Sequence, residues 1–299
     1  MSPRRNARAI EASPRRPTGG RRRALGQHFL RDGSVAASIV ELVRPGPADL
    51  VIEIGPGRGA LTGLLAGRAR RLVAIELDPL LATALRAHYE DDAHVEVVVA
   101  DAVRVDYRAL VGEWREPGGR VLVVGNLPYS SGTAILATVL DAASALAAQV
   151  TVELALMLQR EVAERVAAPP GSRDYGALSV LSQLAADVRL AFSVPPGAFA
   201  PPPQVESAVL YLRARAEPPV PVPDARRMRA VVRSAFAQRR KTLANALTGG
   251  LGRPAEEVRG ALAAAGIDPQ RRAETLSLAE FARVATALGP IAPPGPQTD

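Results

Sequence analysis

A chain of 299 residues with no cysteine and only three histidines, His28, His88 and His94, excludes disulfides, thiolate nucleophiles and Cys-ligated zinc, and its histidines are too scattered for a metal site. Hydrophobic residues make up 47%, enough to bury a large domain and a smaller one, and no apolar run reaches membrane-spanning length. A soluble cytoplasmic protein with no membrane partner is therefore expected.

The formal net charge of +7 is matched by residues 1–23 alone, where eight arginines stand against one acid, Glu11. This arm carries Pro, Ser and Gly without apolar periodicity, so it is expected to be disordered. It suits a polyanion partner or serves as a solubilising extension, and it lacks the apolar core of a signal peptide. SVAASIVELV (34–43) reads as a helix, LVIEIG (50–55) as a strand, ALTGLLAGRA (60–69) as a helix and RLVAIE (71–76) as a strand. PLLATALRAHY (79–89) is helical, HVEVVVAD (94–101) and RVLVVGN (120–126) are strands, TAILATVLDAASAL (133–146) is a helix and TVELALMLQ (151–159) a strand. Continuous Val, Ile and Leu runs alternating with amphipathic helices mean parallel strands covered on both faces, an α/β doubly wound sheet. YGALSVLSQLAAD (175–187) reads as a helix, and two β-rich segments, VRLAFSV and VESAVLYLRAR, flank PPGAFAPPP. EPPVPVP (217–223) is a stiff linker to an all-helical region, 224–289, and a loose Pro-rich tail follows from 290 to 299.

In the helical region, RRMRAVVRSAFAQRRK (226–241) holds seven basic residues and no acid, while Met228, Val231, Val232, Ala235 and Phe236 fall at helical spacing. One face is core and the other cationic. Charge of a single sign favours nucleic acid over a merely solvated face, and Arg233, Arg239, Arg240 and Lys241 are the candidate RNA contacts.

Three strands end in chemistry. The first runs into EIGPGRGA, where Gly55, Gly57 and Gly59 let backbone approach a ligand at a helix start. Glu76 ends the second, where a carboxylate accepts both hydroxyls of a ribose, and Asp101 ends the third, where it accepts from an adenine amino group or caps a helix. The set suits an adenosine with a free ribose and a short polar tail, the shape of S-adenosylmethionine. The glycine pattern also satisfies a dinucleotide motif, but nothing later supplies contacts for a second nucleotide. A P-loop lacks its Gly-Lys pair, a zinc deaminase its cysteines and a hydrolase its G-x-S-x-G elbow.

After the strand RVLVV comes GNLPY (125–129). Methyl transfer from a sulfonium needs an oriented nucleophile more than an acid or base. Acceptors that grip both N–H groups of an exocyclic amine localise and aim its lone pair. Asn126 offers a side-chain carbonyl, Leu127 or Pro128 a backbone carbonyl, Pro128 a fixed turn and Tyr129 a face for an extruded base.

These segments carry a resemblance. GQHFL (26–30), EIGPGRGALT (53–62), AIELD (74–78), GNLPY, MLQREVAERV (157–166), PPGAFAPPPQVESAV (195–209) and FAQRRKTLANAL (236–247) occur in order, and from about residue 24 to 288 the chain resembles the rRNA adenine N6,N6-dimethyltransferases, in particular the bacterial small-subunit (16S) type. The resemblance implies a Rossmann-like methyltransferase domain (24–216) with a seven-stranded, mostly parallel sheet and a final antiparallel strand, then the helical domain. It implies dimethylation of two adjacent adenines in the 3′-terminal hairpin loop of 16S rRNA within a pre-assembled small subunit. S-adenosylmethionine would be the cofactor and S-adenosylhomocysteine the product, with no metal taking part and the chain expected to work as a monomer. His28 and Leu30 would lie against the cofactor, Gly55 against its methionine part, Glu76 on the ribose and Asp101 on the adenine. Asn126 would touch both cofactor and target nitrogen, and Phe199 would close on the base opposite Tyr129. His28 departs from the usual Asn, and Ser130-Ser131-Gly132 departs from the family's usual residues after the clamp. Rival readings are a large-subunit (23S) rRNA dimethylase conferring antibiotic resistance, an rRNA-binding assembly factor with dispensable catalysis, and an NAD-dependent oxidoreductase.

Overall fold

The computed structural model describes residues 28–290 apart from positions 113, 115, 223 and 239. The Arg-rich arm, Arg239 and the segment after Pro290 lie outside the described residues. The described residues divide into two compact units: those up to Ala163 with Ala185–Glu217, and Glu164–Leu184 with those from Pro218 onward. The segment Glu164–Leu184 thus packs with the second unit although three strands of the first follow it.

In the first unit a short strand β1 (Phe29–Leu30) precedes α1 (Gly33–Val43), which Asp32 caps by accepting from the Ser34 and Val35 N–H groups. Strands and helices then alternate: β2 (Leu50–Ile54), α2 (Thr62–Leu65), β3 (Arg71–Glu76), α3 (Pro79–His88), β4 (Val95–Val99), α4 (Tyr107–Val111), β5 (Val121–Asn126), α5 (Gly132–Leu146), β6 (Val152–Gln159) and α6 (Arg160–Ala167). After α7 (Ala177–Ala185), which belongs to the second unit, come β7 (Ala186–Val194), β8 (Phe199–Ala200) and β9 (Ser207–Ala214). The helix expected over 60–69 shrinks to the single turn of α2, because Gly63 sits inside it and Gly67, at φ +75°, stops it. The helix expected over 175–187 stops at Ala185, where the chain turns into β7.

The sheet has seven strands in the order β4-β3-β2-β5-β6-β9-β7. The β2–β3, β3–β4, β2–β5 and β5–β6 pairs are parallel, and β9 is antiparallel to both neighbours, as expected of a mostly parallel sheet with an antiparallel last strand. All five residues of β2 are buried, which is why its apolar run does not alternate. Burying one such Ile or Leu contributes about 1.5–3 kcal/mol. Strand order reverses between β2 and β5, and an open α/β sheet leaves a crevice at the carboxyl ends of such a pair. At the opposite, amino end, Arg120 bonds the buried Asp49 at 2.7 Å, Glu153 at 3.3 Å and the Arg44 carbonyl at 2.9 Å.

The second unit adds α8 (Ala225–Phe236), α9 (Leu243–Leu251), α10 (Ala255–Ala264) and α11 (Leu278–Ala287). Its core gathers Tyr175, Met228, Val231, Val232, Leu247, Leu262 and Phe281, so α8 buries the face its spacing predicts. Ser277 and Glu280 form a capping box that starts α11, and hydrogen bonding to Arg271 holds the Glu280 carboxyl down at about 2.

Candidate active site

The cleft in the first unit opens where β2, β3, β4 and β5 end. Pairing of Ile54 with Ile75 and Gly125 sets the three strand ends level, so Gly55, Glu76 and Asn126 follow side by side. All three line the cleft with Asp101, Leu127, Pro128, Tyr129 and His28. These residues are far apart in the sequence; the register of a parallel sheet brings them together.

Gly55 and Gly57 have φ +66° and +57°, and a Cβ on Gly57 would stand 2.9 Å from the Phe29 ring. Only glycine fits that turn under that ring. Arg58 stacks on Phe29 at 5.0 Å from the ring centroid. Phe29 lines the main cleft and also a smaller hollow shared with Leu30, Glu53, Gly55 and Gly57. Leu30 is buried and reaches only the hollow.

Glu76 is 3% exposed, and each of its oxygens accepts a backbone N–H: Oε2 from Gly57 at 3.0 Å and Oε1 from Asp78 at 2.9 Å. Burial raises its pKa, and the N–H groups of Asp78 and Gly57 oppose that rise. Glu53, 1% exposed, borders the hollow, and burial pushes its carboxyl up to about 7. Its Oε2 has no hydrogen-bond partner. Asp101 is exposed, and its Oδ1 accepts from the Val103 N–H at 3.0 Å, so it closes a turn at the cleft mouth.

Asn126 Nδ2 donates to the His28 carbonyl at 2.9 Å, which fixes the amide and leaves Oδ1 as its acceptor. The Pro128 carbonyl is already engaged, accepting from Ser131 at 3.2 Å and Gly132 at 2.7 Å at the start of α5. Of the two backbone carbonyls considered, Leu127 is the one left for a ligand; its own N–H is tied to Met157 at 3.0 Å. Tyr129 shares a 2.7 Å hydrogen bond with Ser207, and burial raises the pKa of the phenol.

Phe199, expected opposite Tyr129, stands elsewhere. It pairs with Leu30 in the two-residue β1–β8 ladder and is 2% exposed, in the core with Val194 and Val209. It does not line the cleft. Next to the Tyr129 ring is His28, at 5.4 Å between centroids. Phe29, Glu53, Leu77 and Ser207 are contributors that spacing alone missed; Phe29 stands inside the GQHFL motif and Leu77 directly after Glu76, signals that were present in the sequence.

In the second unit Arg233 lies in the last turn of α8, and Arg233, Arg240 and Lys241 are all exposed. Among the described residues no group of three or more His, Asp or Glu is placed to hold a metal, and no helix is long and apolar enough to cross a membrane.

Residues 20–289 match the model of a family described as ribosomal RNA adenine dimethylase. The "Ribosomal RNA small subunit methyltransferase A" of Geobacter metallireducens is 46% identical over 89% of this chain and 95% of its own. The protein of that name from Anaeromyxobacter dehalogenans is 46% identical over 90% of this chain and 93% of its own. Among solved structures, the 23S rRNA methyltransferase ErmE aligns with a TM-score of 0.61 at 28% identity, over 87% of this chain and 99% of its own. A dimethyladenosine transferase from Plasmodium falciparum shares the fold, with a TM-score of 0.67 at 20% identity over 86% and 96% of the two chains. On a family match that spans nearly the whole chain, and on relatives at 46% identity, the chain belongs to the ribosomal RNA adenine dimethylase family.

Proposed function

We propose that this protein transfers methyl groups from S-adenosylmethionine to N6 of two adjacent adenines in the 3′-terminal hairpin loop of 16S rRNA, in the cytoplasm, as a monomer during small-subunit maturation. The observation that carries the reading is the Asn126 amide, locked through Nδ2 so that Oδ1 presents an acceptor beside Tyr129. The small-subunit reading is favoured over the large-subunit one by the 46% identity to relatives named for the small subunit, against 28% to ErmE.

The cleft fits the cofactor. Glycines at 55 and 57 leave room a Cβ would fill, Glu76 is an acceptor for ribose hydroxyls, and Asp101 for an adenine amino group. The unpaired Glu53 Oε2 beside the glycine turn suits an ammonium group. When bound, S-adenosylmethionine supplies a methyl group already activated by its sulfonium.

The protein's part is to hold and aim the amine. Asn126 Oδ1 and the Leu127 carbonyl accept the two N6–H bonds, so the nitrogen lone pair turns out of the ring plane. One N–H proton leaves to solvent as each N–C bond forms. After the first transfer a single N–H remains, and one acceptor suffices to hold it for the second. Tyr129, braced by Ser207, gives the extruded base its stacking face.

Arg233, Arg240 and Lys241, with Arg239, contact phosphates and position the RNA without reading its sequence. Each neutralised phosphate contact should steepen the fall of affinity with salt, and removing one of these side chains should reduce the slope by about 1. A salt-independent affinity would remove the cationic helix face from the mechanism. The function itself is tested by incubating labelled S-adenosylmethionine with unmethylated small subunits and, separately, with naked 23S rRNA. Dimethyladenosine confined to the small subunit is the expected product. Dimethyladenosine in the 23S rRNA alone would make the protein a large-subunit methylase, and no product in either would leave an RNA-binding factor.

A further inference from the structure

The His28 carbonyl orients Asn126. Its side chain does something separate. The imidazole lies 5.4 Å from the Tyr129 ring between centroids, tilted by 36°, and its Nδ1 is 2.8 Å from the Pro201 carbonyl. A carbonyl only accepts, so Nδ1 carries the proton and donates. The ring is therefore held by Tyr129 and by the loop that follows β8, while Tyr129 is held at its other end by Ser207.

This arrangement leaves no slot for a base between the two rings. A nucleobase stacked between two rings separates them by two layers of about 3.4 Å each, roughly 6.8 Å in all. Centroids 5.4 Å apart and tilted cannot admit it. A base that stacks on this side of Tyr129 must therefore displace the imidazole.

We propose that the target adenine stacks on the side of Tyr129 that His28 occupies, and that the His28 side chain is a gate there, displaced by the adenine that is to be methylated. The inference rests on Tyr129 being the stacking platform of the proposed function. Displacement needs only side-chain rotation: the Nδ1–Pro201 bond breaks, and the His28 carbonyl keeps its hold on Asn126. A base that gains nothing beyond stacking merely exchanges one ring for another on Tyr129. An adenine whose amino group is also gripped by Asn126 and Leu127 recovers the cost of opening. The gate thus makes stacking conditional on the amino grip, and His28 acts as a specificity-determining residue for the base.

With three histidines in the chain, His28 can be followed by NMR in the full-length protein. Tyr129→Leu removes the ring current and identifies the His28 signals. Adding S-adenosylhomocysteine with a synthetic hairpin that carries the two adjacent adenines should move them toward the Tyr129→Leu position. The same hairpin with abasic sites at both adenines should not. In turnover, His28→Ala should lower KM for unmethylated small subunits by about three- to tenfold, the order of one aromatic contact, with KM for S-adenosylmethionine unchanged. His28→Asn, which keeps a polar side chain too short to cover the ring, should do the same if the alanine variant folds poorly. A higher KM for subunits would make the imidazole a wall of the base slot and overturn the gate. A higher KM for the cofactor alone would make it a cofactor ligand and would overturn the gate as well. Unmoved His28 signals in an enzyme that makes dimethyladenosine would refute the gate only, whereas absence of dimethyladenosine from wild type would refute the function and the gate together.

Discussion

The two ends of the sheet use the same kinds of residue to opposite effect. At the amino end, Asp49 and Glu153 are buried and Arg120 satisfies both, with the Arg44 carbonyl taking a further guanidinium N–H. At the carboxyl end, Glu53, Glu76 and Asp101 make no ion pair among the described residues. Glu76 is held by backbone N–H groups alone, and Glu53 keeps an unpaired oxygen. A buried acidic group with a cation is part of the fold; one without is an acceptor left for a ligand that brings its own donors. S-adenosylmethionine brings hydroxyls, an amino group and an ammonium.

The contrast can be broken at either end. The largest effect belongs to the clamp. Asn126→Ala removes an acceptor used as the amine reacts, and kcat should fall on the order of 10²–10³-fold, measured on small subunits, while subunit binding persists. Retained activity would take Asn126 out of the chemistry.

At the amino end Arg120→Ala strands two buried carboxylates, and unfolding free energy should drop by roughly 3 kcal/mol in a denaturant titration, a figure moderated by the partial exposure of Arg120. Cofactor affinity of the folded fraction should not change. Loss of affinity without loss of stability would mean that the two ends are not separate in role.

Glu76→Ala should do the reverse. Stability should change little, and S-adenosylhomocysteine affinity measured by calorimetry should fall about 10- to 100-fold, the range for hydrogen bonds to a charged group.

A further effect is on the pH dependence of stability. Glu53 ionises near its ordinary 4.5 in the unfolded chain and at about 7 in the folded one. Between those values the folded state binds more protons, so without cofactor the Tm should decline as pH rises from 4.5 through 7. Glu53→Gln should flatten that decline, and an equally steep decline in the variant would assign it to other groups.

Much of this was legible in the sequence because it depends on local pattern. Unbroken Val, Ile and Leu runs announce parallel strands, and the residue following each run stands at the carboxyl edge whatever the strand order, so Gly55, Glu76, Asp101 and Asn126 could be placed together. What was not legible depends on pairing across long separations. The β1–β8 ladder joins distant parts of the chain through two residues per strand, too few to show a period, yet it turns Phe199 into the core and brings His28 beside Tyr129. Ser207 reaches Tyr129 across 78 positions for the same reason. The single-turn α2 was missed because glycines at 63 and 67 cut short a segment whose apolar pattern reads as a longer helix.

Whether the uncompensated acceptors at the carboxyl end of the sheet form a cofactor site is tested most directly by a crystal structure of the protein with S-adenosylhomocysteine. The ribose hydroxyls should lie on Glu76, with Gly57 and Asp78 still donating to its oxygens. The adenine amino group should stand at Asp101 and the amino acid end beside Gly55 and Gly57. A ligand seated away from the ends of β2, β3 and β4, with Glu76 making no contact to the ribose, would contradict the assignment.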